Sequence, residues 1–147
     1  MEYEVGKRDD LGAILELYKQ WNPKIDIFAD FSIEEANKVW DKIESNNIKY
    51  FLAKDNNKVI ATCFICIIPN LANSGKPIGY IENVITDEKY RRKGIGKKII
   101  EMAIKFAKEE KCNRVVLLSA SKKIEAHKFY DSLGFCGESQ KGFELRF

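Results

Sequence analysis

Residues 59–68, Val-Ile-Ala-Thr-Cys-Phe-Ile-Cys-Ile-Ile, set the strongest limit on what this chain can fold into. No charge interrupts the run, and Thr62 is its one hydroxyl. The run is about half the ~20 residues that a helix needs to cross a bilayer. It is rich in β-branched groups, so it reads as a buried strand. A strand that is apolar on both faces needs a covering layer on each face of its sheet. The rest of the chain must supply the neighbours and those layers.

The hydrophobic period on either side does so. Tyr3 and Val5 mark a short edge strand over residues 2–6. Asp9 or Asp10 can cap a helix in which Leu11, Ile14, Leu15 and Tyr18 recur, and Asn22-Pro23 stops it. Ser32 and Glu35 form a capping box, with Phe31 placed to staple onto Ala36. Ile33, Ala36, Trp40 and Ile43 are then the buried stripe of a second helix. Ile48, Tyr50 and Leu52 alternate, and Asp55-Asn56-Asn57 turns that strand into residues 59–68 as an antiparallel hairpin. A connection over 69–77 leads to a strand over 78–86. Ile95, Ile99, Met102, Ala103 and Phe106 mark a long helix ending near Lys111, and residues 114–119 a strand apolar on both faces. A helix through Ile124, His127 and Tyr130 ends at Gly134, and residues 135–147 predict a last strand or two with a turn near Gly142. The expected fold is one mixed α/β (α+β) domain over 1–147. Its sheet is mostly antiparallel, with a central parallel β-α-β crossover and helices on both faces.

Of 147 residues, 25 are basic and 22 acidic, and the net charge is +3. That argues against a nucleic-acid partner, because phosphate-backbone binders concentrate basic charge on one face. Residues 1–5 have neither a basic leader nor an apolar run, so no signal peptide and no membrane partner is expected. Cys63 and Cys66 invite a zinc or redox reading. A separation of three within a strand puts them on opposite faces, and His127 is the one histidine available. No metal is expected, and Cys63, Cys66, Cys112 and Cys136 read as reduced thiols in a cytoplasmic chain.

The chemistry concentrates in one turn. From residue 88 to 98 there are six basic residues and one acidic, with Gly94 and Gly96 where a loop becomes a helix. A helix start has unpaired backbone N–H groups and the positive end of the dipole. Glycine lets an anion approach that backbone. Gly-x-Gly-x-x-Gly is incomplete here, and Gly96-Lys97-Lys98 lacks the hydroxyl of a Walker loop. The segment predicts anion binding; the plainer alternative is a solvated basic loop.

Arg91-Arg92-Lys93-Gly94-Ile95-Gly96 resembles the Arg/Gln-x-x-Gly-x-Gly/Ala signature of the GCN5-related N-acetyltransferases, the GNAT superfamily. Residues 81–86, Ile-Glu-Asn-Val-Ile-Thr, resemble the strand that leads into it. Residues 126–135, Ala-His-Lys-Phe-Tyr-Asp-Ser-Leu-Gly-Phe, resemble the family's closing Ala-x-x-Phe-Tyr-x-x-x-Gly-Phe element. The resemblance implies an acetyl-coenzyme A-dependent N-acetyltransferase that acts by direct attack in a ternary complex. It assigns the pyrophosphate to the backbone from Arg92 through Lys93, Gly94 and Ile95 to Gly96, with Arg91 and Lys97 flanking. It assigns the pantetheine arm to backbone groups at Val84 and Ile85. Many members carry asparagine where this chain has Lys123, a departure that puts one cofactor contact in doubt and offers a phosphate a cation instead.

Transfer to an amine requires the ammonium to lose a proton and the leaving thiolate to gain one. Glu82 interrupts an apolar strand and is the candidate base, directly or through water; substrate positioning and simple solvation are the other readings. Tyr130 is the candidate acid by the resemblance, against a packing role. Between the first two helices, Trp21 and Phe28 offer an apolar wall and Asp26 and Asp30 a negative charge for a cationic small-molecule or peptide amine. Loop pinning is the alternative there. A noncatalytic acyl-coenzyme A sensor is the competing function, and a homodimer is compatible with the family.

Overall fold

The computed structural model describes residues 1–24 and 28–147. Five strands form one sheet: β1 (Glu2–Val5), β2 (Ile48–Asp55), β3 (Lys58–Ile68), β4 (Ile78–Thr86) and β5 (Arg114–Leu117), in that spatial order. The first three pairings are antiparallel. Asn56 and Asn57 have φ of 47° and 64°, which makes the β2–β3 connection the two-residue turn that asparagine tolerates best. Asn113 N–H donates to the Pro77 carbonyl at 2.8 Å, and a Cβ built on Gly79 would lie 3.4 Å from Val115. β4 and β5 therefore begin at the same end and run parallel, joined through helix α3 (Ile95–Glu109).

β3 is the strand with a layer on each face, as its sequence requires. On one side lie α1 (Leu11–Tyr18) and α2 (Ile33–Ser45), whose Leu11, Ile14, Leu17, Ala36 and Trp40 pack with Tyr50, Leu52, Val59 and Ile85. On the other lies α3, where Phe106 meets Phe51 with ring centroids 6.2 Å apart and the Cys63 thiol faces the Ile99 carbonyl. Cys63 pairs across to Phe51, and Cys66 to Ile48, which packs on the α1/α2 core. The two thiols thus sit on opposite faces. The α2 capping box forms in full: Glu35 N–H donates to Ser32 Oγ at 3.1 Å, and Ser32 N–H to Glu35 Oε2 at 2.8 Å.

Three local expectations change. Ile33 is half exposed and outside the buried stripe, being the first residue of its helix. Asp10 does not cap α1; its carboxylate accepts from Lys7 N–H and from Lys54. Residues 135–147 form no strand. Phe143, Leu145 and Phe147 alternate as a strand would, but alternation records a two-sided preference and does not supply the neighbour whose backbone groups a ladder needs.

The chain divides into two compact units, Met1–Val116 and Leu117–Phe147. In the second, α4 (Ile124–Ser132) ends where Gly134 takes φ of 90°, and Tyr130 lies 5.2 Å from Phe129 and 6.0 Å from Phe135 by ring centroids. Among the described residues no helix is long and apolar enough to cross a membrane.

Leu52 has no exposed surface and sits where the α1/α2 layer meets the sheet. Leu52→Ala is expected to destabilise the fold by about 2–5 kcal/mol, through lost transfer energy plus an unfilled cavity. Urea denaturation measures it, and a loss below about 1 kcal/mol would show that this layer is loosely packed.

Candidate active site

The site is built on an irregularity in β4. Thr62 pairs with Ile85 and Phe64 with Glu82, so Asn83 and Val84 together stand opposite Cys63. This is a β-bulge, and Asn83 is its residue in the left-handed region, φ 54°. Asparagine enters that region at lower cost than most residues. The extra residue flips side-chain parity, so Glu82 and Ile85 share the α1/α2 face although their separation is three. Glu82 lies at the end of the cross-strand row Tyr50–Phe64–Glu82, half buried.

Two donors hold the Glu82 carboxylate. Tyr80 Oη donates to Oε1 at 3.0 Å, and the Asn83 N–H donates to Oε2 at 3.3 Å. Burial, then the bond to that carboxylate, pushes Tyr80 up to about 12, so its hydroxyl stays a donor throughout the neutral range. A carboxylate has about four lone-pair positions, which leaves Glu82 acceptor capacity for a substrate proton or a water. Behind the bulge, the Tyr18 hydroxyl is buried without a hydrogen-bond partner of normal geometry, beside Tyr50 and the Asn83 side chain. Burial pushes Tyr18 far upward, and it does not ionise.

The basic turn becomes a cradle. Arg92 has φ of 61°, and Gly94, the N-cap of α3, φ of 75°. No side chain caps the helix, and its first cap bond runs from Lys98 N–H to the Gly94 carbonyl. None of the N–H groups from Arg92 to Lys97 is among the donors in turn, loop or cap hydrogen bonds of the described residues. Nothing lies within 4 Å of a Cβ built on Gly94, so the space before these donors is open. Uncommitted N–H groups at the positive end of a 15-residue helix suit a pyrophosphate. Arg91 flanks them, its Nε donating to the Thr86 carbonyl at 3.1 Å, and Lys93 lies over the Tyr90 ring at 5.0 Å.

A carboxylate that sequence reasoning passed over holds the cradle in place. Asp87, 2% exposed, follows β4 directly. It accepts from Lys58 Nζ at 2.6 Å and from the Lys89 N–H at 3.0 Å. Its own N–H donates to the Ile60 carbonyl, and its carbonyl accepts from Tyr90 N–H, both at 2.8 Å. Burial would raise its pKa, but Lys58, the Lys89 N–H and Gln20 outweigh burial and hold the carboxyl below its ordinary range. Gln20 also accepts from the Glu88 N–H at 3.1 Å, and Tyr90 Oη donates to Asp55 at 2.8 Å. The available signal for Asp87 was an acidic residue two before a lysine at the mouth of a basic turn, an Asx-turn pattern. For Asn83 it was an asparagine inside an apolar strand.

The first unit brings Glu82, Val84 and Ile85 onto one strand and Arg91 to Lys97 onto the turn that follows it. Trp21 stacks on Tyr18 with centroids 4.3 Å apart, and Phe28 packs with Phe31 against the α1/α2 core. Asp30 is exposed, and Asp26 lies outside the described residues. In the second unit, Tyr130 packs within its aromatic trio, and Lys123 occupies the N-cap position of α4 without a side-chain cap bond. His127 Nε2 is 3.0 Å from the Ala120 carbonyl, a contact that ties α4 to the turn before it.

A mixed sheet whose bulged fourth strand leads into an open, basic helix start is arranged to receive an anionic ligand there. The model of the Acetyltransferase (GNAT) family matches residues 11–135, and the chain belongs to that family. A solved structure, a putative acetyltransferase from Agrobacterium tumefaciens, superposes with a TM-score of 0.90 at 32% identity, covering 100% of each chain. A glucosamine 6-phosphate N-acetyltransferase from Trypanosoma brucei brucei is 30% identical over 59% of this chain and 57% of its own length. An L-ornithine N5-acetyltransferase from Arabidopsis thaliana is 33% identical over 68% of this chain and 44% of its own. The chain thus spans about half the length of these two curated relatives.

Asp87→Asn removes the charge that Lys58 pairs with. Because the Lys58 side chain is 56% exposed and can rehydrate, the expected loss at pH 7 is about 1–2 kcal/mol, less than for a fully buried pair. The folded pKa is depressed, so the contribution is present above the unfolded value and lost as pH falls through the folded one. Urea denaturation of wild type and variant should show the gap at pH 7 and its narrowing well below pH ~4. A gap independent of pH would remove Asp87 from this role.

Proposed function

We propose that the chain is an N-acetyltransferase that moves an acetyl group from acetyl-coenzyme A to a primary amine in a ternary complex. The observation that carries this reading is the cradle: uncommitted N–H groups from Arg92 to Lys97 at a helix start, one turn beyond the strand that presents Glu82. Family membership supports it. Acetyl-coenzyme A, when bound, supplies an acyl group activated as a thioester. The backbone from Arg92 to Gly96 would hold its pyrophosphate, with Arg91 and Lys97 as flanking cations. Backbone groups of Val84 and Ile85 orient the pantetheine arm beside the bulge.

Glu82 takes the proton of the incoming ammonium on its carboxylate, directly or through one water, while Tyr80 and the Asn83 N–H keep that carboxylate aimed. Tyr130 Oη is the proton donor to the leaving sulfur. Two relatives act by name on glucosamine 6-phosphate and L-ornithine, both primary amines, which supports that acceptor class. Asp26 and Asp30 would attract the cationic amine. The packing of Trp21 on Tyr18 and of Phe28 on Phe31 makes these aromatics a braced wall. The free thiols fit a reducing compartment, and we place the protein in the cytoplasm on that ground.

Thiol release from acetyl-coenzyme A should be measured over a panel of amino sugars, amino acids and peptides; no release above hydrolysis with any amine overturns the reading. Gly94→Val puts a β-branched side chain at φ 75° in the mouth of the cradle, and calorimetry should show at least tenfold weaker acetyl-coenzyme A binding. With the acceptor found, Glu82→Gln should lower kcat/KM on the order of 10²-fold. Tyr130→Phe should lower kcat by a similar factor with coenzyme A affinity held within a few-fold. A near-wild-type kcat would return Tyr130 to packing.

A further inference from the structure

A cavity of about 580 Å³ lies between α1 and the start of β3, and none of the roles above uses it. Its volume falls within the usual range for small-molecule sites. Ala13, Leu17, Pro23 and Val59 are its apolar lining residues, and Lys19, Lys24 and Lys58 its basic ones. The carboxylate that lines it, Glu16, is tied to Lys19 at 2.6 Å, so that pair is neutral. Lys24 enters no ion pair among the described residues. Lys58 gives one donor to Asp87, and an ammonium has three. Its side chain is 56% exposed while that of Asp87 is 3% exposed, so the remaining donors are on the accessible side of the pair. Lys24 and Lys58 are thus two basic lining residues that Glu16 does not neutralise, alongside apolar ones.

The cavity also touches the cradle's supports. Lys58, which grips Asp87, and Gln20, which accepts from the Glu88 N–H, both line it. An anion on Lys58 sets a second negative charge on the ammonium that Asp87 needs, and the two anions repel at close range. We propose that this cavity binds a small amphipathic anion, one acidic head on a short apolar body, and that its occupation loosens the phosphate cradle. The coupling half rests on the reading of the cradle as the acetyl-coenzyme A site; the binding half does not.

Phenyl phosphate is the probe, and calorimetry the readout. With the cradle blocked by Gly94→Val, the probe should still bind, and adding Lys24→Ala should weaken it at least threefold. Lys24→Ala alone should leave coenzyme A affinity unchanged. Wild type saturated with coenzyme A gives a second route independent of that variant: the probe should bind there severalfold more weakly than to coenzyme A-free Gly94→Val. By linkage, saturating probe should raise the coenzyme A Kd by the same factor and then plateau. Inorganic phosphate, lacking the apolar body, should bind about tenfold more weakly. The site is overturned if the probe binds neither the blocked variant nor the coenzyme A complex, or if Lys24→Ala leaves it unaffected. The coupling is overturned if the coenzyme A Kd rises without limit, as simple competition, or does not rise. Failure of coenzyme A to bind at all would strike the function proposed above and leave the Gly94→Val titration to decide the cavity.

Discussion

One extra residue in β4 governs the geometry of the site. A regular strand would give Glu82 and Val84 to the α1/α2 face. The bulge at Asn83 gives that face Glu82 and Ile85. Ile85 can then join the core beside Leu52 and Val59 while Glu82, one row along, remains half buried beside Tyr80. The same insertion bends the strand, and the bent strand delivers the chain to Asp87. A local backbone irregularity therefore sets both the aim of the carboxylate and the place where the cradle begins.

The cradle shows how a basic loop can be held open without being neutralised. Arg91, Arg92, Lys93, Lys97 and Lys98 repel one another, and their mutual field is what an anion would relieve. If acidic residues paired with them in front, the site would be filled by its own side chains. The structure puts a buried carboxylate behind the loop instead. Asp87 is sealed, grips the turn by its carboxylate and its carbonyl, anchors to β3 by its N–H, and uses Lys58 from that strand. Glu88 meets Arg91 only at 3.8 Å on exposed surface, a contact of little energy. The donors from Arg92 to Lys97 stay uncommitted because the loop is fixed from its far side.

Much of this was legible in the residues, for physical reasons that differ by element. Ser32 and Glu35 are a local device, so three residues of spacing specify the capping box completely. The Asn56-Asn57 turn is local as well. The run over residues 59–68 announced a covered strand because no other element tolerates that composition. The bulge was not legible: it depends on the register of two strands, and Asn83 says only that a left-handed residue is tolerated there. Asp87 was not singled out by its residue pattern, since nothing local records that β3 brings Lys58 to meet it. Trp21 and Phe28 read as aromatics in need of partners, but that the partners are Tyr18 and Phe31 depends on packing that the pattern does not record.

The same distinction between local and assembled features separates an anion cradle from whatever selects an acceptor. Binding a pyrophosphate needs backbone N–H groups, a helix end and glycine, all specified within a few consecutive residues. Selecting an acceptor needs side chains from separate elements, brought together only by packing. Substitution in the first set is constrained by backbone dihedrals, as at Gly94 with φ of 75°. Substitution in the second is constrained only by volume and charge, which many side chains satisfy. Acceptor choice therefore depends on contacts that a short motif cannot encode, and relatives of this chain are named for an amino sugar phosphate and for an amino acid.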